Sequence, residues 1–238
     1  MDHLRHSRHF LLDGVGETGV RSQLEASVTI IGCGGLGQPV AAALGCAGIK
    51  LLRLADGDTL QTTNLARLPL MAEDGVGYYK AVLMAEAIVR NNKSQAIDIV
   101  TDIAGAANLR RLLEGTDIAI DATDNWPTRK ALAEACREMG IPLVSGGALG
   151  TDGWVGVFSP SSAHLESWLR QPEQLADTCE RVGVMGPLTG MIGNMMAIEA
   201  LKLLWRKANP QSWNCLEGRV FYIDARRGEC ATVDIPQD

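Results

Sequence analysis

A chain of 238 residues with 46% hydrophobic and 21% charged residues has an ordinary globular composition and can bury a full hydrophobic core. The formal net charge of −6 argues against nonspecific binding to nucleic acid, because neutralising phosphates requires a basic surface. The most apolar late stretch, residues 188–204, is interrupted by Asn194, Glu199 and Lys202, which favours a buried helix over a membrane span.

The N-terminus and the cysteines predict a cytoplasmic protein. The first residues lack the apolar core of a signal peptide. The six cysteines are scattered and form no C-x-x-C pair, which is typical of reduced thiols and not of a disulfide framework or a four-cysteine zinc site. We therefore expect a cytoplasmic protein without membrane association.

The strongest local signal of the chain is a glycine-rich turn between a strand and a helix. A β-branched run at residues 28–31 precedes Gly32, Gly34 and Gly37, which stand at G-x-G-x-x-G spacing, and an alanine-rich helical pattern follows at residues 40–47. The first glycine permits a sharp turn, the second lets a phosphate approach the backbone, and the third lets the helix pack on the strand. Because a helix N-terminus also attracts anions, the segment predicts a phosphate-binding unit.

A carboxylate follows the next predicted strand. Residues 49–56 read as a strand that ends in Asp56, about 20 residues beyond the glycine turn, where an acid contacts a ribose hydroxyl in dinucleotide-binding units. This spacing favours nucleotide binding and leaves open whether the ligand is a dinucleotide or a mononucleotide.

The remaining segments alternate between helix and strand. Residues 57–77 form a long polar loop without a clear period, of a length that usually carries function. The other predicted helices are 17–26, 81–90, 108–113, 127–139 and 188–207, and the other predicted strands are 97–100, 117–121, 141–145, 154–158, 220–224 and 230–235. This alternation predicts an α/β fold with a doubly wound, Rossmann-like, mostly parallel sheet, to which antiparallel strands are added in the C-terminal part. We expect one domain over residues 1–238, with a nucleotide-binding half at about 26–146 and a C-terminal part at about 147–238.

Four polar residues fall where the ligand edge of such a sheet should lie. Arg67 could grip a phosphate with its guanidinium, although a lone loop arginine is more often solvated. Lys80 begins a helix, where a cation opposes the helix dipole unless an anion is near. Asp124 follows the fourth strand and could hold a magnesium ion that bridges phosphates, whereas taken alone it reads as a helix cap. For Asp56 a helix or turn cap is the alternative to the ribose contact.

In their order along the chain, these motifs resemble the ThiF/MoeB/HesA-type adenylyltransferases, which are bacterial relatives of the ubiquitin-activating enzymes. The resemblance covers nearly the whole length. It includes residues 5–8 with Leu11 and Leu12, residues 32–37, 56–58, 64–67, 80–81, 121–125 with Arg129, 142–146, 178–179, 183–187 and 199–202.

This resemblance implies a reaction and a set of roles. A carrier protein's C-terminal carboxylate would attack the α-phosphate of ATP and give an acyl adenylate and pyrophosphate. Arg8 would act as an arginine finger that reaches the triphosphate of the partner subunit in a homodimer. The residues implied to bind nucleotide are Gly32, Gly34, Gly35, Leu36 and Gly37 at the phosphates, Asp56 at the ribose, Asn64, Arg67 and Lys80 at the triphosphate, Asp124 at Mg²⁺, and Asp58 and Asn125 beside them.

The implied partner is a small ubiquitin-like sulfur carrier that ends in Gly-Gly, as in thiamine or molybdopterin biosynthesis. Its tail would thread beneath residues 159–181. Many relatives carry two C-x-x-C pairs for zinc, but here the first would fall near His164 and Ser167 and the tail around Cys230 has no pair, so we predict no zinc. Cys179 matches a cysteine that some relatives use covalently, and a structural role is the alternative.

Two further departures flank the site. Leu68 stands where a glutamine usually follows the loop arginine, and Tyr79 stands where a proline usually precedes the lysine. Three other functions remain open from the sequence: adenylation of a peptide or other carboxylate, a nicotinamide-dependent oxidoreductase, and an inactive scaffold that binds a carrier tail. The oxidoreductase leaves Arg67, Lys80 and Asp124 without a role.

Overall fold

The computed structural model describes residues 4–159, 165–168 and 182–235. In these ranges the strands are β1 Ser27–Ile31, β2 Leu51–Ala55, β3 Ala96–Val100, β4 Ile118–Asp121, β5 Leu143–Leu149, β6 Asp152–Phe158, β7 Arg219–Asp224 and β8 Glu229–Asp234. The α-helices are α1 Ser7–Phe10, α2 Gly16–Glu25, α3 Gly37–Ala47, α4 Lys80–Asn91, α5 Leu109–Leu112, α6 Trp126–Met139, α7 Leu165–Trp168 and α8 Gly186–Ala208.

All eight strands belong to one sheet, in the order β3-β2-β1-β4-β5-β6-β7-β8. Strands β1 to β5 pair in parallel, and β6, β7 and β8 are added antiparallel. The predicted fold class is therefore confirmed, including the antiparallel addition. Because the order of the parallel strands reverses between β1 and β4, a crevice opens beyond the carboxyl ends of these two strands.

Helices cover both faces of the central strands, and the residues of β4 are all buried as a result. One apolar core lies between the sheet and helices α3, α4 and α8, and a second lies between the sheet and helices α5 and α6. No helix among the described residues is both long and apolar enough to cross a membrane.

The long helix α8 is fixed by specific contacts at two positions along its length. A Cβ on Gly193 would lie 2.4 Å from the carbonyl oxygen of Leu36, so only glycine allows α8 to approach the start of α3 this closely. Further along, the buried Glu199 carboxylate accepts the N–H of Leu216 at 2.8 Å and pairs with Lys202 at 2.6 Å. The contact at Gly193 places the N-terminal half of α8 against the start of α3, directly after the glycine turn.

The segment 57–77 differs from the prediction of a loop without regular structure. It contains two 3₁₀ helices, Thr62–Arg67 and Glu73–Gly75. The first begins with reciprocal hydrogen bonds between the side chains and backbones of Gln61 and Asn64, which form a capping box. Helices this short have no apolar period, so the hydrophobic pattern of the sequence does not reveal them.

Candidate nucleotide-binding site

The glycine turn after β1 has the geometry that its spacing predicts. Gly32 has a φ of +96°. A Cβ at this residue would lie 2.5 Å from the carbonyl oxygen of Ala122, and a Cβ at Gly37 would lie 2.0 Å from the carbonyl oxygen of Gly32. By contrast, a Cβ at Gly34 would meet no atom within 4 Å. The outer two glycines are therefore required by packing, and the middle one faces open space that a phosphate could fill.

These contacts predict that substitution of Gly37 lowers stability, whereas substitution of Gly34 weakens ATP binding. We expect Gly37→Ala to lower the free energy of unfolding by about 3 kcal/mol, because the methyl group cannot fit against Gly32. Gly34→Ala should leave the unfolding temperature of the free protein unchanged and reduce the stabilisation that ATP adds. Thermal unfolding with and without ATP tests both. A Gly34→Ala protein with the wild-type response to ATP would contradict the assignment of this loop to the phosphates.

The predicted ribose contact, Asp56, lies directly beyond β2 and is fixed to the glycine turn. Its Oδ2 accepts the N–H of Cys33 at 2.6 Å, and its Oδ1 accepts the N–H of Asp58 at 2.8 Å. Burial raises the pKa of Asp56, and these two N–H groups and the charge of Lys80 oppose that increase. Each carboxylate oxygen can accept a second hydrogen bond, so Asp56 can still bind a hydroxyl.

Lys80 is the first residue of α4, and its ammonium group lies near the glycine turn. Its Nζ pairs with Asp58 Oδ2 at 2.9 Å. The lysine side chain is 12% exposed, whereas the aspartate side chain is 69% exposed. The anion expected beside this helix start is thus supplied by the chain itself. A triphosphate oxygen could replace the exposed carboxylate.

Asn64 and Arg67 lie on the 3₁₀ helix Thr62–Arg67, which contacts the N-terminus of α8. A Cβ on Gly186 would be 2.7 Å from the carbonyl oxygen of Ala66. Arg67 donates to the carbonyl oxygen of Thr63 at 3.1 Å and is partly exposed. Asn64 is buried and its Oδ1 accepts the N–H of Gln61 at 3.1 Å, so this oxygen caps the helix locally.

One contact that the sequence did not predict ties the chain beyond this 3₁₀ helix to α3. Gln38, in the first turn of α3, is buried, and its Oε1 accepts the N–H of Leu70 at 3.2 Å. The chain beyond Arg67 is thereby attached to the helix that begins at the glycine turn. No feature of the sequence around Gln38 distinguishes it from an ordinary helix residue.

Asp124 and Asn125 follow β4, the strand that neighbours β1 in the sheet. The side chain of Asn125 caps α6, because its Oδ1 accepts the N–H of Thr128 at 3.0 Å. Asp124 is exposed. The cap that the sequence suggested for Asp124 is therefore provided by Asn125, and the Asp124 carboxylate lies at the same sheet edge as the glycine turn. This arrangement of carboxylates and cations is suited to a metal-bound polyphosphate.

A family model described as the ThiF family matches residues 6–237. The chain belongs to the ThiF family. The resemblance drawn from the motifs is confirmed over nearly the whole length, and the glycine turn, Asp56, Lys80 and Asp124 all lie in the matched region.

Two curated relatives show how the family match extends. The adenylyltransferase and sulfurtransferase MOCS3 of Caenorhabditis briggsae is 32% identical over 233 residues, which is 96% of this chain and 57% of that protein. The molybdopterin-synthase adenylyltransferase of Escherichia coli K12 is 34% identical over 224 residues, which is 93% of this chain and 88% of that enzyme. The ThiF-family chain thus spans little more than half of the first relative and most of the second.

A solved structure shows the same fold at lower identity. The crystal structure of E. coli MccB with MccA-N7isoASN matches this ThiF-family chain with a TM-score of 0.84 and 19% identity, over 100% of this chain and 73% of that one. At this identity the likeness concerns the fold, including the C-terminal antiparallel strands.

Arg8 lies away from the glycine turn of its own chain. It is exposed on α1, whose neighbour His6 lies 2.7 Å from where a Cβ on Gly48 would be, at the C-terminal end of α3. Since α3 has 11 residues, this end is about 16 Å from its N-terminus. Within a single chain of this ThiF-family protein, the structure therefore does not bring Arg8 to the glycine turn.

The other predicted site features of the ThiF-family chain concern thiols and metals. Cys179 and His164 lie outside the described residues. Burial raises the pKa of Cys33 well above its usual value, that of Cys136 to about 12 and that of Cys215 to about 11, which disfavours the reactive thiolate form. In the ranges that the structure describes, no three His, Cys, Asp or Glu side chains are grouped to hold a metal ion. Magnesium needs only one or two carboxylates when phosphates complete its coordination.

Proposed function

We propose that this chain is an ATP-dependent adenylyltransferase that activates the C-terminal carboxylate of a small ubiquitin-like sulfur carrier as an acyl adenylate. The observation that carries the proposal is the placement of the glycine turn, Asp56, Lys80 and Asp124 at one sheet edge in a ThiF-family fold. The E. coli relative, of which the chain spans 88%, is named as an adenylyltransferase. We further propose that residues 1–238 form one adenylation domain in the cytoplasm.

The reaction needs little acid–base chemistry from the protein. The carrier carboxylate is ionised at neutral pH, and one of its oxygens forms a bond to the α-phosphorus of ATP. The bond between that phosphorus and the bridging oxygen breaks, and pyrophosphate leaves with the electron pair. Catalysis then depends on holding the carboxylate in line and on neutralising the charge that develops on the phosphates.

The residues of this chain divide these tasks. The backbone N–H groups of the glycine turn and the N-terminus of α3 would bind the phosphates. Asp56 would accept a ribose hydroxyl, and Lys80 and Arg67 would bind the triphosphate oxygens. Asp124 would hold Mg²⁺, which would supply positive charge to neutralise the phosphates.

Arg8 would act in the other subunit of a homodimer. Its position at the far end of α3 supports this proposal, because the arginine cannot serve the glycine turn of its own chain. The carrier tail, ending in Gly-Gly, would approach over the C-terminal part of the sheet. A covalent role for Cys179 remains a proposal.

The test is to incubate the purified protein with ATP, Mg²⁺ and candidate carriers and to determine the intact mass of each carrier. The expected result is a carrier with one added AMP, together with pyrophosphate. A carrier with a C-terminal amide is the matched control, because it cannot form the acyl phosphate bond. A free peptide carboxylate tests the alternative of a specialised adenylating enzyme. If ATP is consumed and neither a carrier nor a peptide gains AMP, the proposed function is wrong. It is also wrong if the protein binds NAD and does not bind ATP.

A further inference from the structure

A buried ion pair lies directly beneath the loop that carries Asp124. The Asp121 carboxylate at the end of β4 is fully buried, and its Oδ2 lies 3.0 Å from Nε of Arg129 in α6. The hydroxyl of Ser145 donates to the same oxygen at 2.5 Å. The Arg129 side chain is 10% exposed. Because both charges are paired and hydrogen-bonded, the pair can persist in the interior.

All three polar groups of Thr123 are fixed by this pair. Its N–H and its hydroxyl donate to Asp121 Oδ1, at 3.1 and 2.6 Å. Its carbonyl oxygen accepts Nη2 of Arg129 at 2.5 Å. Thr123, immediately before Asp124, therefore has its N–H, its hydroxyl and its carbonyl oxygen all hydrogen-bonded. Asn125, immediately after Asp124, is fixed by its side-chain hydrogen bond to the N–H of Thr128. The backbone of Asp124 lies between two fixed points, although its carboxylate is exposed.

The same guanidinium also joins this loop to the C-terminal part of the sheet. Its Nη2 donates to the carbonyl oxygen of Gly146 in β5 at 2.8 Å, and its central carbon lies 5.2 Å from the ring centroid of Trp154 in β6. The indole lies across Gly147, where a Cβ would be 2.4 Å from Nε1 of Trp154. Glycine at residue 147 thus allows the tryptophan to stack on the arginine.

We propose that Arg129 is a positioning residue, which holds the Thr123 carbonyl so that Asp124 is oriented toward a metal–triphosphate. This inference rests on the proposed function and concerns a residue that does not itself touch the nucleotide. Substitution of groups that orient a metal ligand typically lowers metal affinity by about 10- to 100-fold.

Arg129→Lys is the informative change, because it keeps the positive charge beside Asp121 and removes the planar guanidinium, whose Nε pairs with Asp121 while its Nη2 donates to the carbonyl oxygens of Thr123 and Gly146. Arg53→Lys is a matched control. Nε of Arg53 lies 2.7 Å from Asp98 Oδ2, and its Nη1 donates to the carbonyl oxygens of Leu112 and Glu114, at 2.5 and 3.0 Å. The two arginines therefore make the same kinds of contact, but Arg53 lies away from the Asp124 loop.

Two measurements separate a positioning role from a structural one. In the nucleotide-free protein, amide hydrogen exchange at residues 122–125 should be faster in Arg129→Lys and unchanged in Arg53→Lys. In carrier-dependent ATP–pyrophosphate exchange, the Mg²⁺ concentration for half-maximal rate should rise about 10-fold or more in Arg129→Lys, with a smaller change in the rate at saturating Mg²⁺. Arg53→Lys should keep the wild-type Mg²⁺ requirement.

Each outcome decides the inference. A wild-type Mg²⁺ requirement in Arg129→Lys overturns it, even if hydrogen exchange is faster, because the contacts would then serve stability alone. Equal changes in both variants also overturn it. If Arg129→Lys does not fold, Trp154→Leu removes the stacking partner and leaves the Asp121 pair intact, and it should shift both measurements in the same direction. Wild-type protein without any pyrophosphate exchange would refute the proposed function, and hydrogen exchange at residues 122–125 would still test Arg129.

Discussion

Asp124→Asn should reduce carrier-dependent ATP–pyrophosphate exchange by about 100-fold or more, which is the usual effect of removing one preorganised electrostatic contact to a transition state. The amide is nearly isosteric with the carboxylate but carries no charge to hold Mg²⁺. Because Asp124 is exposed, the free energy of unfolding should change by less than about 0.5 kcal/mol. Exchange of labelled pyrophosphate into ATP measures the first effect, and urea unfolding measures the second.

Asp117→Asn is the control, because Asp117 precedes β4 and Asp124 follows the same strand. Asp117 accepts the N–H of Ser27 at 3.0 Å and pairs with Lys207 at 2.9 Å at the amino end of the sheet. This variant should lose some stability and retain exchange. Normal exchange by Asp124→Asn would remove Asp124 from the mechanism and with it the proposed magnesium site.

Lys80→Met should also lower the exchange rate by about 100-fold and raise the KM for ATP, because a largely shielded ammonium near the glycine turn is lost. Methionine retains the apolar stem that packs within the protein. The side chain of Asp58, which loses its ion pair with Lys80, is 69% exposed. The free energy of unfolding should therefore change little. Initial rates over a range of ATP concentrations separate the two kinetic effects.

Lys207→Met is the counterpart at the opposite end of the sheet. Its Nζ lies 2.9 Å from Asp117 Oδ1, the same length as the pair between Lys80 and Asp58. It should retain both the rate and the KM. If the two lysine variants behave alike, Lys80 contributes only a surface ion pair and does not bind the triphosphate.

Most of the fold could be predicted from the sequence, because local residue patterns specify its helices and strands. A β-branched run precedes Gly32, and Asp56 follows the next strand about 20 residues beyond the glycine turn. This spacing is typical of a Rossmann-like nucleotide-binding unit. Pro127 lies in the first turn of a helix, and Gly140 ends that helix with a φ of +71°, so both of its boundaries follow from residue type. The antiparallel C-terminal strands were also predicted, because a glycine-rich turn precedes residues 154–158 and a turn-like link at residues 226–229 joins the last two strands.

The parts of the site that could not be predicted depend on contacts distant in sequence. Nothing near Arg129 indicates that it meets Trp154, 25 residues further along the chain, since α6 and two strands must first pack together. The 3₁₀ helix around Asn64 is a local exception, which the sequence pattern does not reveal because a helix of six residues has no apolar period. The separation of Arg8 from the glycine turn follows from the packing of α1 at the far end of α3, which a linear motif does not encode.

The ion pair between Lys80 and Asp58 has a consequence for turnover. A triphosphate that enters as proposed exchanges one counter-ion for another, so the lysine contributes less to net affinity than an unpaired ammonium would. The displaced carboxylate then stands in solvent near a like charge, which it repels. When pyrophosphate departs, the ion pair between Asp58 and Lys80 can form again. This intramolecular pair thereby favours release of pyrophosphate before the next cycle.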